Sequence, residues 1–290
     1  MVGLRRAAGR LAAPARALRH RGGMLPGFLV VGTKRGGSTS CYRWISQHPE
    51  VAPCRTGKGT HYFDVNHGRG LAWYRSGFPA QQGDWRITGE GSPYYMFHPL
   101  APQRIGETLP DVRLIAVLRD PLERAWSHHR YETARGHEDL PFGEAIRVEE
   151  ERLAGERERM IAEPGYDSPA YRYHAYKQRG RYAEQLDRLV AAVGRDQLLV
   201  LRSEEMFADP HGQLDRVWDF LGLTRVRLEG LEPYKQGVAS TSSMDPADRA
   251  MLQEYYAEPT ARLLDRYGID VTAAVDPVQT THGGADAHDR

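Results

Sequence analysis

Between Phe28 and Val51 the chain reads FLVVGTKRGGSTSCYRWISQHPEV, and this one stretch restricts the fold more than any other. An apolar run breaks into a turn of glycines and hydroxyls and then passes into an amphipathic segment, the succession expected of a strand, an anion loop and a helix. Such a turn gathers backbone N–H groups and the positive end of a helix dipole at one point, where a phosphate or sulfate can sit. Gly32 and Gly37 bracket four residues, as in the triphosphate loop G-x-x-x-x-G-K-[ST], but Ser38 stands where that motif needs its lysine. A kinase or GTPase built on this loop would lack its central cation. Lys34 and Arg35 lie instead on the near side of the glycine pair.

A second stretch, RLIAVLRDPLERAWSHHRYE from Arg113 to Glu132, again runs from an apolar strand into a helix start. Arg119 ends the apolar run, and Pro121 suits the first turn of a helix on which Ser127 lies two turns beyond Asp120. Taken singly, each motif has an ordinary reading. GTKRGGSTS can be a plain strand-to-helix turn, and RDPLER a capped helix start with Glu123 and Arg124 facing solvent. Both motifs in this order, each on a strand-loop-helix, are harder to dismiss.

The loop pattern K/R-x-G-[ST]-[ST] resembles the 5′-phosphosulfate loop of sulfotransferases that use 3′-phosphoadenosine 5′-phosphosulfate (PAPS). The segment R-D-P-x-x-R-x-x-S resembles that family's 3′-phosphate segment. Similar stretches are KGTHYFD (58–64), GEGSPYYMFHP (89–99) and GRYAEQLDRLVAAVGRDQLLVLRSEEMFADP (180–210), and they place the chain nearer the bacterial and heparan-type branch than the cytosolic small-molecule branch. The resemblance implies a donor site of Lys34, Arg35, Gly36, Gly37, Ser38 and Thr39 for the 5′-phosphosulfate, with Arg119 and Ser127 for the 3′-phosphate. Lys235, in the late loop YKQGVASTSS, is expected to join them. Two departures bear on mechanism. Arg35 stands at the family's loop lysine, and a planar guanidinium is not interchangeable with an ammonium. Gly59 stands at the family's frequent glutamate base, so another group must take the acceptor's proton. His61 is the first candidate, with a hydrogen-bonded structural histidine as its ordinary alternative, and Glu90 is the second.

The expected fold is α/β: a P-loop-like central parallel sheet with helices on both faces, the sulfotransferase fold. Strands are expected at Phe28–Val31, Leu114–Leu118, Leu198–Leu201 and, more weakly, Arg86–Thr88, with ligands beyond their carboxyl ends. The expected organisation is a basic, disordered leader over 1–24, with a membrane-surface helix or an arginine-rich targeting peptide as its alternatives, a single sulfotransferase domain over 25–275 and a mobile tail over 276–290. The charged stretch 144–163 reads as a solvated helix, and His128 and His129 as exposed helix residues. Tyrosines and basic residues crowd 165–182, a composition suited to a sugar or an anionic acceptor and equally to a tyrosine-rich surface loop. The closing segment 252–267 resembles the family's final helix pair and reads as packing.

The 290 residues carry 39 basic and 38 acidic side chains, so the chain lacks the overall charge of a nucleic-acid binder. Its histidines and its two cysteines, Cys41 and Cys54, show no metal-ligand spacing, and neither metal nor disulfide is expected. No apolar run in the leader is long enough for a signal-peptide core or a membrane span, which gives the expectation of a cytoplasmic protein. Ala, Arg and Gly usage points to a GC-rich, bacterial genome. The function expected is metal-free, in-line sulfuryl transfer from PAPS to a hydroxyl or amine of a carbohydrate, lipid or secondary metabolite, with PAP released. A P-loop kinase or nucleotide hydrolase and a non-catalytic binder of phosphoadenosine nucleotides are the alternatives, and the oligomeric state is left open.

Overall fold

In the computed structural model, residues 23–234 and 243–275 are described. Five parallel strands, β1 (Phe28–Gly32), β2 (Val51–Ala52), β3 (Ile87–Gly91), β4 (Arg113–Leu118) and β5 (Leu198–Arg202), form one sheet in the order β2-β3-β1-β4-β5. β1 is apolar throughout and wholly buried, as a central parallel strand covered on both faces must be. The chain leaves β1 toward β2 and β3, then crosses to β4 on the other side. The direction reverses at β1, and ligands of open α/β sheets bind beyond the strand ends at such a point.

The longer helices are α1 (Ser38–Ile45), α2 (Ala101–Thr108), α3 (Pro121–Thr133), α4 (Tyr182–Val193), α5 (Pro210–Leu221) and α6 (Pro246–Tyr267). α1 follows β1 through the glycine turn, and α3 follows β4 through Arg119 and Asp120. The Asp120 carboxylate accepts from the Leu122 and Glu123 N–H groups, and Pro121 occupies the first turn, which spends no backbone donor there. Cys41 and Cys54 are both buried.

The fold matches the expected layered sheet, but several local readings are corrected. The two-residue β2 is too short to leave an apolar run. The charged stretch forms three short helices, at Phe142–Arg147, Glu149–Leu153 and Glu156–Ala162, with Gly155 at φ 74° before the last. Its charged side chains are exposed or half-buried, as expected, with the exception of Glu149, which is fully buried and accepts from the Lys177 and Gln178 N–H groups at 2.5 and 2.8 Å. Arg124, His128 and His129 are buried too, because α3 packs against the 165–182 segment and α6 rather than lying on the surface. The closing segment is one helix, α6, with Pro259 inside it.

Candidate active site

The loop from Thr33 to Gly37 turns tightly beyond β1, with the Thr33 N–H donating to Val117 O at 2.8 Å and the Gly36 N–H to Thr33 O at 3.0 Å. A Cβ on Gly36 would come within 2.7 Å of Val117 O, and Gly37, at φ 92°, opens α1 in the left-handed region that glycine tolerates. Ser38 and Thr39 therefore fall on the first turn of α1, where N–H groups lack helical partners. The Arg35 Nε donates to Ser127 Oγ at 3.0 Å, and Arg119 donates to Arg35 O at 3.4 Å. Arg35, Arg119 and Ser127, from the loop, the end of β4 and α3, thus meet at one place. Arg119 is held by its own backbone, whose carbonyl accepts from Tyr182 Oη at 2.8 Å.

Lys34 turns toward α3. Its Nζ lies 2.6 Å from the buried Glu132 carboxylate and donates to Arg172 O at 3.3 Å. Burial lowers this ammonium to about 7, Arg179 adds to the shift, and Glu132 opposes it. Glu132 is also 2.8 Å from His137 Nδ1 and 3.5 Å from His128 Nε2, and the His137 ring stacks on Tyr173 at 4.2 Å. The donor loop and the 165–182 segment are therefore tied through one carboxylate.

On the other flank, residues 58–64 fold into a turn against the end of β3. Glu90 anchors it. Its carboxylate is fully buried and accepts from Thr60 N–H at 2.6 Å, Thr60 Oγ1, Ser92 Oγ and Tyr95 Oη at 2.7 Å each, and Tyr74 Oη at 3.1 Å. With five donors spread over two oxygens, no lone pair is left facing a substrate. The expectation of Glu90 as a base is corrected to that of an anchor. His61 is different: 37% of its side chain is exposed, and its Nδ1 lies 2.8 Å from the buried Asp64 Oδ2. Burial alone would lower the His61 pKa, but Asp64, aided by Glu90, raises it above the usual histidine value. The turn also brings Lys58 Nζ to Thr39 Oγ1 at 2.6 Å.

Arg35 and His61 are the non-glycine residues with positive φ among the described residues, at 71° and 52°. Backbone strain of this kind persists where the surroundings over-determine the conformation, commonly at active sites. Gly59 lies flat against β3, and a Cβ there would sit 2.5 Å from Gly91 O and 2.6 Å from Ser92 Oγ. A glutamate side chain has no room at that position.

Residues 25–236 match the family model described as the sulfotransferase domain. The chain belongs to the sulfotransferase family. Over 202 residues this sulfotransferase is 33% identical to human heparan sulfate glucosamine 3-O-sulfotransferase 3B1, covering 70% of the chain and 47% of the relative. Over 218 residues it is 30% identical to mouse bifunctional heparan sulfate N-deacetylase/N-sulfotransferase 4, covering 69% and 22%. Among solved structures, a sulfotransferase from Alicyclobacillus acidocaldarius superposes with a TM-score of 0.65 at 27% identity, covering 83% of this chain and 95% of the other. The chain spans about half the length of the curated 3-O-sulfotransferases it matches.

Asp64 and Glu132 are site residues that sequence reasoning missed. Asp64 stood in the KGTHYFD stretch, three residues after His61, and that spacing on a turn was the available signal. Glu132 gave none, since Lys34 comes from the loop and His137 from beyond α3, and His128 alone shares its helix. Of the crowded tyrosines, Tyr171 stacks on Phe97 at 4.4 Å, Tyr176 donates to Glu138 and Tyr182 to Arg119, so these three are core groups and not acceptor contacts. Lys235 lies outside the described residues. Among the described residues no helix is long and apolar enough to cross a membrane, and no group of three or more His, Cys, Asp and Glu side chains could hold a metal ion.

Proposed function

We propose that this sulfotransferase moves a sulfuryl group from PAPS to a hydroxyl or amine of a glucosamine-containing carbohydrate. The observation that carries the reading is the meeting of Arg35, Arg119 and Ser127 beyond β1 and β4, with the His61–Asp64 pair on the neighbouring turn. Two guanidinium groups and a hydroxyl suit a phosphate dianion, while the N–H groups and hydroxyls of Gly37 to Thr39 suit a second phosphate. The relatives' names supply the acceptor class, as their acceptors are heparan sulfate glucosamines.

PAPS brings a sulfur already joined to a good leaving group, so the protein's part is positioning and charge. With Nδ1 held by Asp64, the Nε2 of His61 is the ring atom left to accept a proton. The acceptor oxygen or nitrogen forms its bond to sulfur as the bond from sulfur to the 5′-phosphate oxygen breaks. The electron pair leaves on that phosphate oxygen, and the acceptor's proton passes to His61. The N–H groups and hydroxyls of the loop from Gly37 to Thr39 meet the charge left behind.

A kinase or nucleotide hydrolase is disfavoured by Ser38 in place of the loop lysine and by the family match. Calorimetric titration with PAP and, separately, with ATP and magnesium decides the donor class. Sulfate transfer from labelled PAPS to N-sulfated heparosan oligosaccharides decides the acceptor. Tight PAP binding with labelled oligosaccharide is the expected result, and preferential binding of magnesium ATP would sink the proposal.

A further inference from the structure

The two cations written into the donor loop both turn toward α3: Arg35 to Ser127, and Lys34 to Glu132. The opposite flank of the loop, facing β3, receives a cation from a different part of the chain. Lys58 Nζ donates to Thr39 Oγ1 at 2.6 Å, at the second residue of α1. The lysine stem is aimed there by its surroundings. Its carbonyl accepts from the Gly91 N–H at 3.2 Å, and its Cε lies across a Gly91 that has no Cβ, where one would sit 3.4 Å away. Two residues on, Thr60 is fastened to the buried Glu90 through both its N–H and its hydroxyl. The ammonium is thus presented to the hydroxyl end of the anion loop by a rigid turn, the same turn that carries His61.

We propose that Lys58 is a further catalytic residue, contacting the 5′-phosphate end of the donor and taking up the charge that develops on the departing oxygen. This rests on the sulfuryl-transfer reading above and names the residue that serves its leaving group. As the acceptor forms its bond to sulfur, the sulfur–oxygen bond to the 5′-phosphate breaks and that oxygen keeps the electron pair. The acceptor's proton goes to His61 and none to Lys58, which acts as a fixed positive charge. An ammonium already placed where charge appears needs no reorganisation during the reaction. Its position on the β3 side, away from Arg35, sets the two cations on either side of the loop.

The test compares adenosine 3′,5′-bisphosphate with adenosine 3′-monophosphate, which lacks the 5′-phosphate, by calorimetry on the full chain. Wild type is measured first: failure to bind the bisphosphate would overturn the donor reading itself and this assignment with it. In Lys58→Met, bisphosphate affinity is expected to fall about tenfold or more, with monophosphate affinity and melting temperature unchanged. Turnover with labelled PAPS should fall roughly hundredfold, the scale of one lost charge-stabilising donor. Lys58→Arg should recover part of both. Bisphosphate affinity within twofold of wild type, or an equal loss for both nucleotides, would overturn the proposal.

Discussion

Lys34 Nζ lies 2.6 Å from a Glu132 carboxylate that is almost wholly buried, although Lys34 belongs to the loop that would hold the donor's phosphate. The pair stands among Arg172, Arg179, His128, Tyr131 and Tyr173, and its charge depends on Glu132 opposing the effect of burial and Arg179. As pH rises through about 7, Lys34 loses its proton and the loop loses a cation. Glu132→Gln removes the opposing carboxylate, so the Lys34 pKa drops and the decline in PAP affinity moves to lower pH. Lys34→Met should abolish that difference between Glu132 and Gln. Calorimetry from pH 5.5 to 9 checks it, and coincident profiles for wild type and Glu132→Gln would count against the pairing.

His61→Ala should lower turnover roughly hundredfold while leaving PAP affinity intact, as befits a general base that does not touch the nucleotide. A base must be neutral, so turnover falls as pH drops below the raised His61 pKa. Asp64→Asn removes the carboxylate that raises it, leaving burial to dominate. The acid limb of the pH–rate profile should therefore shift to lower pH. An unmoved limb would assign the titration to another group.

Arg119→Ala should weaken PAP binding by about 1.5–3 kcal/mol, the scale of a hydrogen bond to a charged group. Adenosine 5′-monophosphate, which lacks the 3′-phosphate, serves as the control and should bind wild type and variant alike. Equal losses on both nucleotides would mean that Arg119 supports the loop through Arg35 O rather than the ligand.

Restoring the family's glutamate by Gly59→Glu should not add a base. The new Cβ meets Gly91 O at 2.5 Å, so the turn must shift, at a cost of about 1–3 kcal/mol. Thermal unfolding should show the loss, and turnover should fall with it as Lys58 and His61 lose register. A Gly59→Glu variant of wild-type stability and higher turnover would refute this account of the turn.

The strand-loop-helix units were readable because β1 and β4 are continuous apolar runs and because Asp120-Pro121 writes a helix start directly into the chain. The meeting of Arg119 and Ser127 with the loop was expected from the resemblance of those two units to the sulfotransferase donor site. The roles of the buried polar groups were not readable. Glu90, Glu132 and Glu149 look like any glutamate on a strand end or helix, and decisive partners lie far along the chain: Thr60 and Tyr74 for the first, Lys34 for the second, Lys177 for the third. Charge on 144–163 suggested solvent because interleaved Glu and Arg usually face it. That held for all of these charges except Glu149, which the backbone donors of 177–178 hold inside, while Gly155 divides the stretch into separate helices. Lys58 was visible as a residue type, but its reach to Thr39 exists only once β3 places the turn beside α1.

The five hydrogen bonds to Glu90 also act as a caliper. Because one clamped carboxylate fixes the stretch from Lys58 to His61, the span between the departing oxygen and the proton's destination is set by a single short piece of chain. An acceptor is therefore gauged for length as well as for chemistry: its nucleophilic atom must reach between two points that do not yield.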